Sequence, residues 1–378
     1  MEYKICTSCV LDNTDPDIFF DENGVCNYCH KADLVIARYK ERVANSEEHV
    51  NQIISEVKGS GKSKYDCIIG VSGGIDSTYL AYVVKEKFGL TPLAVHLDNG
   101  WNSKLATNNI ARIIRKLGVD LYTHVIDWEE FKNLQQSYFK ASVIDIEVLT
   151  DHAIAAILYE QAAKNGVKYI LFGRNESTEG MMPKSWTFTK NDLKNLKDIH
   201  KKFGTIPIKT FPTLGLFKLW RYEKLKGIKF INPLNYVKYN KEEAMSLIIR
   251  ELGWTPYADK HCESIFTRFY QGYILPKKFN ADKRKAHLSL LIKTGQMNRE
   301  DALEQLKVDP SLEETIQNDY NYVIKKLDFT PEEFDKIMSE KPVSHFAFKT
   351  DIRSKINKKY LSHNSILRMI YRSLKRWF

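Results

Sequence analysis

Short apolar runs alternate with helical patterns through the middle of the chain. "YDCIIGV" is a continuous apolar stretch with polar borders, which predicts a buried strand. "STYLAYVVKEKFG" follows it with helical apolar spacing and closes on Gly89. "LTPLAVHLDNG" then predicts a second strand, "SKLATNNIARIIRKLGV" a helix and "DLYTHVIDW" a third strand. "TDHAIAAILYEQAAKNGV" predicts another helix, and "KYILFG" another strand. This order implies an α/β fold with a parallel sheet, whose ligands sit beyond the carboxyl ends of the strands. Upstream, residues 31–58 read as helical and lead into a Gly-Ser-Lys linker.

Composition adds bounds. The chain has 378 residues, 43% apolar and 28% charged, which suits a globular protein of two domains or one large domain with additions. No run approaches a membrane span, and "MEYKICTSCV" lacks the basic and apolar segments of a secretory signal, so a cytoplasmic protein is expected. The net charge is +10, but the last thirty residues hold nine Lys or Arg against one acid. The total therefore says little about a general nucleic-acid face, and no nucleic-acid partner is expected.

Four of the six cysteines fall in the first thirty positions, as Cys6-x2-Cys9 and Cys26-x2-Cys29. Two such knuckles supply four soft ligands, enough for a closed tetrahedral structural zinc site. An iron–sulfur cluster is the alternative. Four protein ligands leave no open position for catalysis. Cys67 reads as strand core, and Cys262 has no evident role.

The turn between the first strand and its helix reads Ser72-Gly73-Gly74-Ile75-Asp76-Ser77. Glycines let backbone approach a phosphate closely, and helix amides meet its charge. Ser72 and Ser77 add hydroxyl donors, and Asp76 can hold Mg²⁺ or orient a nucleotide. No GxxxxGK[ST] or GxGxxG is present. His96, Asp98, Asn99 and Gly173 fall at other predicted strand ends; Gly173 suits either nucleotide approach or packing.

The SGGxDS arrangement resembles the PP-loop of the ATP pyrophosphatases, of the adenine nucleotide alpha hydrolase-like (HUP) type. "CTSCVLDNTDPDIFFDENGVCNYC", "HLDNGWNSKLATNNI", "GRNESTEG" and "ELGWTPYADKHCESIFTRFYQGYILPKKFNADKRKAHLSLLIKTGQMNREDAL" extend the likeness. Together they resemble the bacterial N-acetyl sugar amidotransferases of lipopolysaccharide O-antigen and pseudaminic-type sugar biosynthesis. That resemblance implies ATP and Mg²⁺ as cofactors, with AMP and diphosphate as products. It implies conversion of an acetamido to an acetamidino group on an N-acetyl sugar, expected to be acidic and nucleotide-linked. It also implies a separate glutaminase subunit supplying ammonia, with a cyclase-like barrel as a possible helper. The rival reading is a PP-loop tRNA-modifying enzyme, for thiolation or lysidine-type chemistry.

Candidate catalytic residues are Asp76, Asp98, Glu179, His261 and Glu263. The candidate ATP site is Ser72, Gly73, Gly74, Asp76, Ser77, His96 and Gly173. Candidate substrate contacts are Arg174, Asn175, Lys260, Arg268, Lys283, Arg284 and His287. Lys283 and His287 would share a helix face, where a basic surface can receive a carboxylate or diphosphate. Glu263 and Arg268 can instead form a structural ion pair. The expected organisation is a four-cysteine zinc module (1–35), a helical linker (36–62), the PP-loop domain (63–240), a mostly helical substrate or partner region (241–345) and a basic tail (346–378). In that tail "SILRMIYRSLKRWF" predicts an amphipathic helix, which packs on its own domain, docks a partner or makes peripheral membrane contact.

Overall fold

A computed structural model describes residues 2–59, 63–176, 180–257, 263–312 and 314–351. Five strands form one parallel sheet in the order β3-β2-β1-β4-β5. They are β1 (Cys67–Gly70), β2 (Pro92–Asp98), β3 (Asp120–Val125), β4 (Tyr169–Leu171) and β5 (Lys229–Ile231). β1 lies in the centre, with Ile69 opposite Ala94 of β2 and Leu171 of β4. All of β1 is buried, as a strand covered on both faces must be, which is why it reads as one apolar run.

Fifteen α-helices surround the sheet among the described residues. The first seven are α1 (Asn27–Ala44), α2 (Ser46–Lys58), α3 (Ile75–Tyr82), α4 (Lys104–Leu117), α5 (Trp128–Lys140), α6 (Val148–Lys164) and α7 (Leu193–Phe203). Next come α8 (Leu216–Trp220), α9 (Lys241–Leu252), α10 (Ile265–Phe269) and α11 (Leu275–Phe279). The last four are α12 (Lys283–Lys293), α13 (Arg299–Leu306), α14 (Glu314–Lys326) and α15 (Pro331–Ser339). The helical stretch expected over 31–58 is two helices that meet at Asn45. α4 shows how local sequence sets an element. The Ser103 side chain accepts from the Ala106 N–H at its start, Gly118 closes it at φ 58°, and Ala106, Ile110, Ile113 and Leu117 form its buried stripe.

Strand alternation divides the core in two. Ile68, Leu93, Val95, Leu97 and Ile170 pack on one face with α5, α6 and the C-terminal helices. Cys67, Ile69, Ala94, Tyr169 and Leu171 pack on the other with α2, α3, α4 and α9. The architecture is therefore a parallel-sheet α/β domain with an early cysteine cluster and a mostly helical C-terminal region. The cysteine knuckles are joined to the first of these cores rather than standing apart. Arg299 donates to the Cys9 and Cys6 carbonyls at 3.0 and 2.8 Å, and the Val10 N–H donates to Ser289 Oγ at 3.2 Å. No described helix is long and apolar enough to cross a membrane. The tail helix expected at its C-terminal end lies outside the described residues.

Candidate active site

The loop leaving β1 is folded on its own hydroxyls. The Ser72 N–H donates to Ser77 Oγ at 3.2 Å, the two Oγ atoms are 3.1 Å apart, and the Gly74 N–H donates to Ser72 Oγ at 3.3 Å. The Gly73 carbonyl is turned outward and accepts from Trp254 Nε1 at 2.8 Å and Tyr257 OH at 3.0 Å. Gly73 has φ +82°, and a Cβ there would stand 2.9 Å from the Ala106 carbonyl. Only glycine suits that place. The first turn of α3 thus begins beside a loop with its serines inward and its carbonyl held away, an arrangement suited to an anion.

Other chain segments converge on this loop. The Tyr239 hydroxyl donates to Asp76 Oδ1. Tyr239 is itself placed by its N–H to Tyr39 OH at 2.9 Å. Glu263 Oε1 lies 3.5 Å from where a Gly74 Cβ would stand. An antiparallel bridge between Asn102 and Ser264 brings it there, with the Ser103 N–H donating to the Glu263 carbonyl at 2.9 Å. A Gly173 Cβ would lie 3.1 Å from the Asp76 carbonyl and 3.2 Å from the Ser77 nitrogen. Close packing of the β4 end on α3 is therefore what requires that glycine.

His96 is buried, with Nδ1 2.9 Å from the Val71 carbonyl and Nε2 3.1 Å from Asn102 Nδ2. The carbonyl accepts only a proton on Nδ1, so Nε2 accepts from the amide, which fixes a neutral tautomer. Burial pushes its pKa below the ordinary value, opposed by the Val71 bond and Asp98. Asp98 Oδ1 accepts from the Gly100 N–H at 3.0 Å and from Asn102 Nδ2 at 3.2 Å. Asn102, which sequence reasoning missed, ties the two candidates together.

The proposed substrate cations are placed differently from expectation. Arg268 grips Asp319 through Nε and Nη2 at 2.7 and 2.8 Å. Arg284 holds Asp282 and donates to the Val308 carbonyl at 2.9 Å. Lys283 is buried and lies 3.0 Å from Glu147 Oε2. On α12, charge pairs within the chain engage Lys283 and Arg284, while His287 is half-buried on the same helix. Arg174 is exposed and Asn175 buried just beyond β4, where Glu176 pairs with Arg42. Glu179, Lys260, His261 and Cys262 lie outside the described residues.

The sulfurs of Cys6, Cys9, Cys26 and Cys29 lie within 4.8 Å of one another, all buried. Cys6–Cys29 and Cys9–Cys26 are 3.8 and 3.7 Å apart. The N–H groups of Cys26, Ser8 and Leu11 point at these sulfurs, at 3.2, 3.4 and 3.4 Å. Amides aimed at sulfur stabilise thiolate charge, so the donor set fits a metal ion.

Residues 45–205 match the NAD synthase family, and residues 263–361 match the C-terminal domain of the LPS biosynthesis protein WbpG-like family. An uncharacterised protein of Methanocaldococcus jannaschii is 32% identical over 117 residues, 31% of this chain and 40% of that protein. The chain thus spans less than half the length of that relative. The tRNA-specific 2-thiouridylase of Clostridioides difficile is 23% identical over 241 residues, covering 56% of this chain and 62% of the other. A solved U34-tRNA thiolase from Methanococcus maripaludis, with its [4Fe-4S] cluster, is similar at a TM-score of 0.34 and 16% identity, over 80% of this chain and 89% of that one. The expectation of no nucleic-acid partner is overturned by the tRNA-acting thiouridylase, which matches more than half of the chain.

Proposed function

This chain, a PP-loop ATP pyrophosphatase-type domain continued by a WbpG-like segment, we propose to be an enzyme that adenylates an acceptor oxygen, releases diphosphate and lets a nucleophile displace AMP. The loop geometry carries this reading. Trp254 and Tyr257 hold the Gly73 carbonyl away, so the amides and the Ser72 and Ser77 hydroxyls can face the leaving diphosphate. Asp76, steadied by Tyr239, would offer a hard oxygen to a nucleotide-bound Mg²⁺, which would supply charge neutralisation at the phosphates. Without adenylation an amide or carbonyl oxygen is a poor leaving group.

Two acceptors are each favoured by an observation. The thiouridylase relative, the longest of the sequence matches above, favours tRNA with a sulfur nucleophile. The WbpG-like segment favours a surface-polysaccharide sugar, whose acetamido group would become acetamidino when ammonia displaces AMP. For the cysteine quartet we infer zinc. A tetrahedron with Zn–S of about 2.3 Å has edges of about 3.8 Å, and Cys6–Cys29 and Cys9–Cys26 stand at 3.8 and 3.7 Å.

Labelled ATP distinguishes these readings. The protein is incubated with undermodified tRNA plus sulfide, and separately with nucleotide-linked diacetamido sugars plus ammonium chloride. Acceptor-dependent AMP is expected in one arm, with thiolated tRNA or a sugar lighter by about one dalton, NH for O. ADP as product would overturn the reading.

A further inference from the structure

α3 starts at the carboxyl end of β1 and covers one face of the sheet; α6 starts at the same edge and covers the other. Asn99, at the end of β2, donates to Thr150 Oγ1 in the first turn of α6 at 3.2 Å. The start of α6 thus stands at the carboxyl ends of the strands, the side on which an open parallel sheet takes its ligands. The start of α6 carries a charge cluster centred on Lys190. Lys190 Nζ lies 2.7 Å from Asp145 Oδ2 and 3.1 Å from Asp151 Oδ2. Lys283 joins through Glu147 at 3.0 Å. Three carboxylates against two ammoniums leave one net negative charge. Asp145 is fully buried, and its Oδ1 meets no donor among the described residues. Asp151 differs, because 47% of its side chain is open to solvent.

We propose that Asp151 takes the proton from an incoming ammonium ion, with Lys190 and Asp145 as its positioning residues and Glu147 as a second carboxylate that draws the cation in. The proposal rests on the reading in which nitrogen is the nucleophile. Asp151 removes one proton from ammonium, leaving ammonia with a free lone pair. That pair forms the C–N bond at the activated carbon as the C–O bond to AMP breaks, and AMP leaves with the acceptor's former oxygen. The product amidine keeps the remaining protons as an amidinium. The surrounding charges suit the task. Loss of hydration raises the Asp151 carboxyl above its ordinary value; Lys190 opposes the rise, while Glu147 and Asp145 add to it. A base nearer neutrality accepts a proton more readily. The neutral His96 has its Nε2 lone pair engaged by Asn102.

Full-length Asp151→Asn is compared with wild type, using the acceptor that supports AMP formation and either ammonium chloride or hydroxylamine. Hydroxylamine is largely unprotonated at neutral pH and needs no base to free its lone pair. The variant is expected to lose about a hundredfold or more in kcat with ammonium and to stay within about threefold with hydroxylamine, while its ammonium rate rises with pH as free ammonia accumulates. Glu147→Gln should raise the KM for ammonium more than it lowers kcat. Equal losses with both nucleophiles, or none with either, would overturn the assignment. A wild-type protein that turns over sulfide but neither nitrogen nucleophile would overturn the nitrogen reading itself, and this proposal with it.

Discussion

Gly73 concentrates the constraints on the nucleotide loop. Its φ of +82° is costly for any other residue, and a Cβ there would stand only 2.9 Å from the Ala106 carbonyl. Gly73→Ala is expected to lose about 1–2 kcal/mol from backbone strain alone. It should also displace α4 from the loop and abolish AMP formation, as a thermal melt and a labelled-ATP assay would register. Trp254→Phe keeps the ring but removes the donor to the Gly73 carbonyl. It should cost about 1–3 kcal/mol and weaken ATP binding in calorimetry more than it lowers the melting temperature. The motif itself was legible because hydroxyls, glycines and an acid between strand and helix form a local signal. Its anchors were not: Trp254 lies 181 positions away and reads as an ordinary apolar residue.

At the level of elements, a short turn carries a titration. His345 lies in the turn His345–Ala347, stacked on Phe188 at 4.2 Å and bonded through Nδ1 to Asn195 Oδ1 of α7 at 2.9 Å. Burial pushes its pKa down from 6.5 to about 4, Asp145 opposing and Lys190 assisting. The unfolded chain therefore binds the proton that the folded chain refuses between pH 6.5 and about 4. Stability from this group is whole above that window, falls with pH through it and levels off below, by about 3 kcal/mol in all. Urea melts across the window should show this slope, and His345→Gln should flatten it. The elements themselves were unevenly legible. β1 and β2 announce themselves because burial on both faces makes them continuously apolar. β5 is three residues long and mostly exposed at the sheet edge, so it carries no periodic signal. The pairing of Lys283 with Glu147 joins helices 136 positions apart, which made a satisfied cation look like an open one.

Across the whole molecule, the cysteine module shares its core with the sheet. Cys6, Cys9, Cys26 and Cys29 belong to the same apolar cluster as Ile68 of β1 and Phe334 of α15. Metal analysis should give about one zinc and little iron per chain. Chelation should lower the melting temperature of the entire protein in a single transition, rather than release a first step with the remainder intact. Calorimetry with and without chelator checks this. Cys9→Ser should behave the same way, reducing soluble protein instead of selectively slowing catalysis.

The anchoring of Gly73 by Trp254 also sets a schedule for synthesis. The loop emerges early from the ribosome, yet its clamp lies 181 positions later. At about 5–20 residues per second, this is an interval of roughly 10–35 s. During it β1 awaits β4 as well as the clamp, so a central apolar strand stays without its neighbour on that side. A nascent chain halted before Trp254 should therefore fail to retain ATP and should recruit chaperones. The same chain extended past Glu263 should bind the nucleotide while still attached to its tRNA.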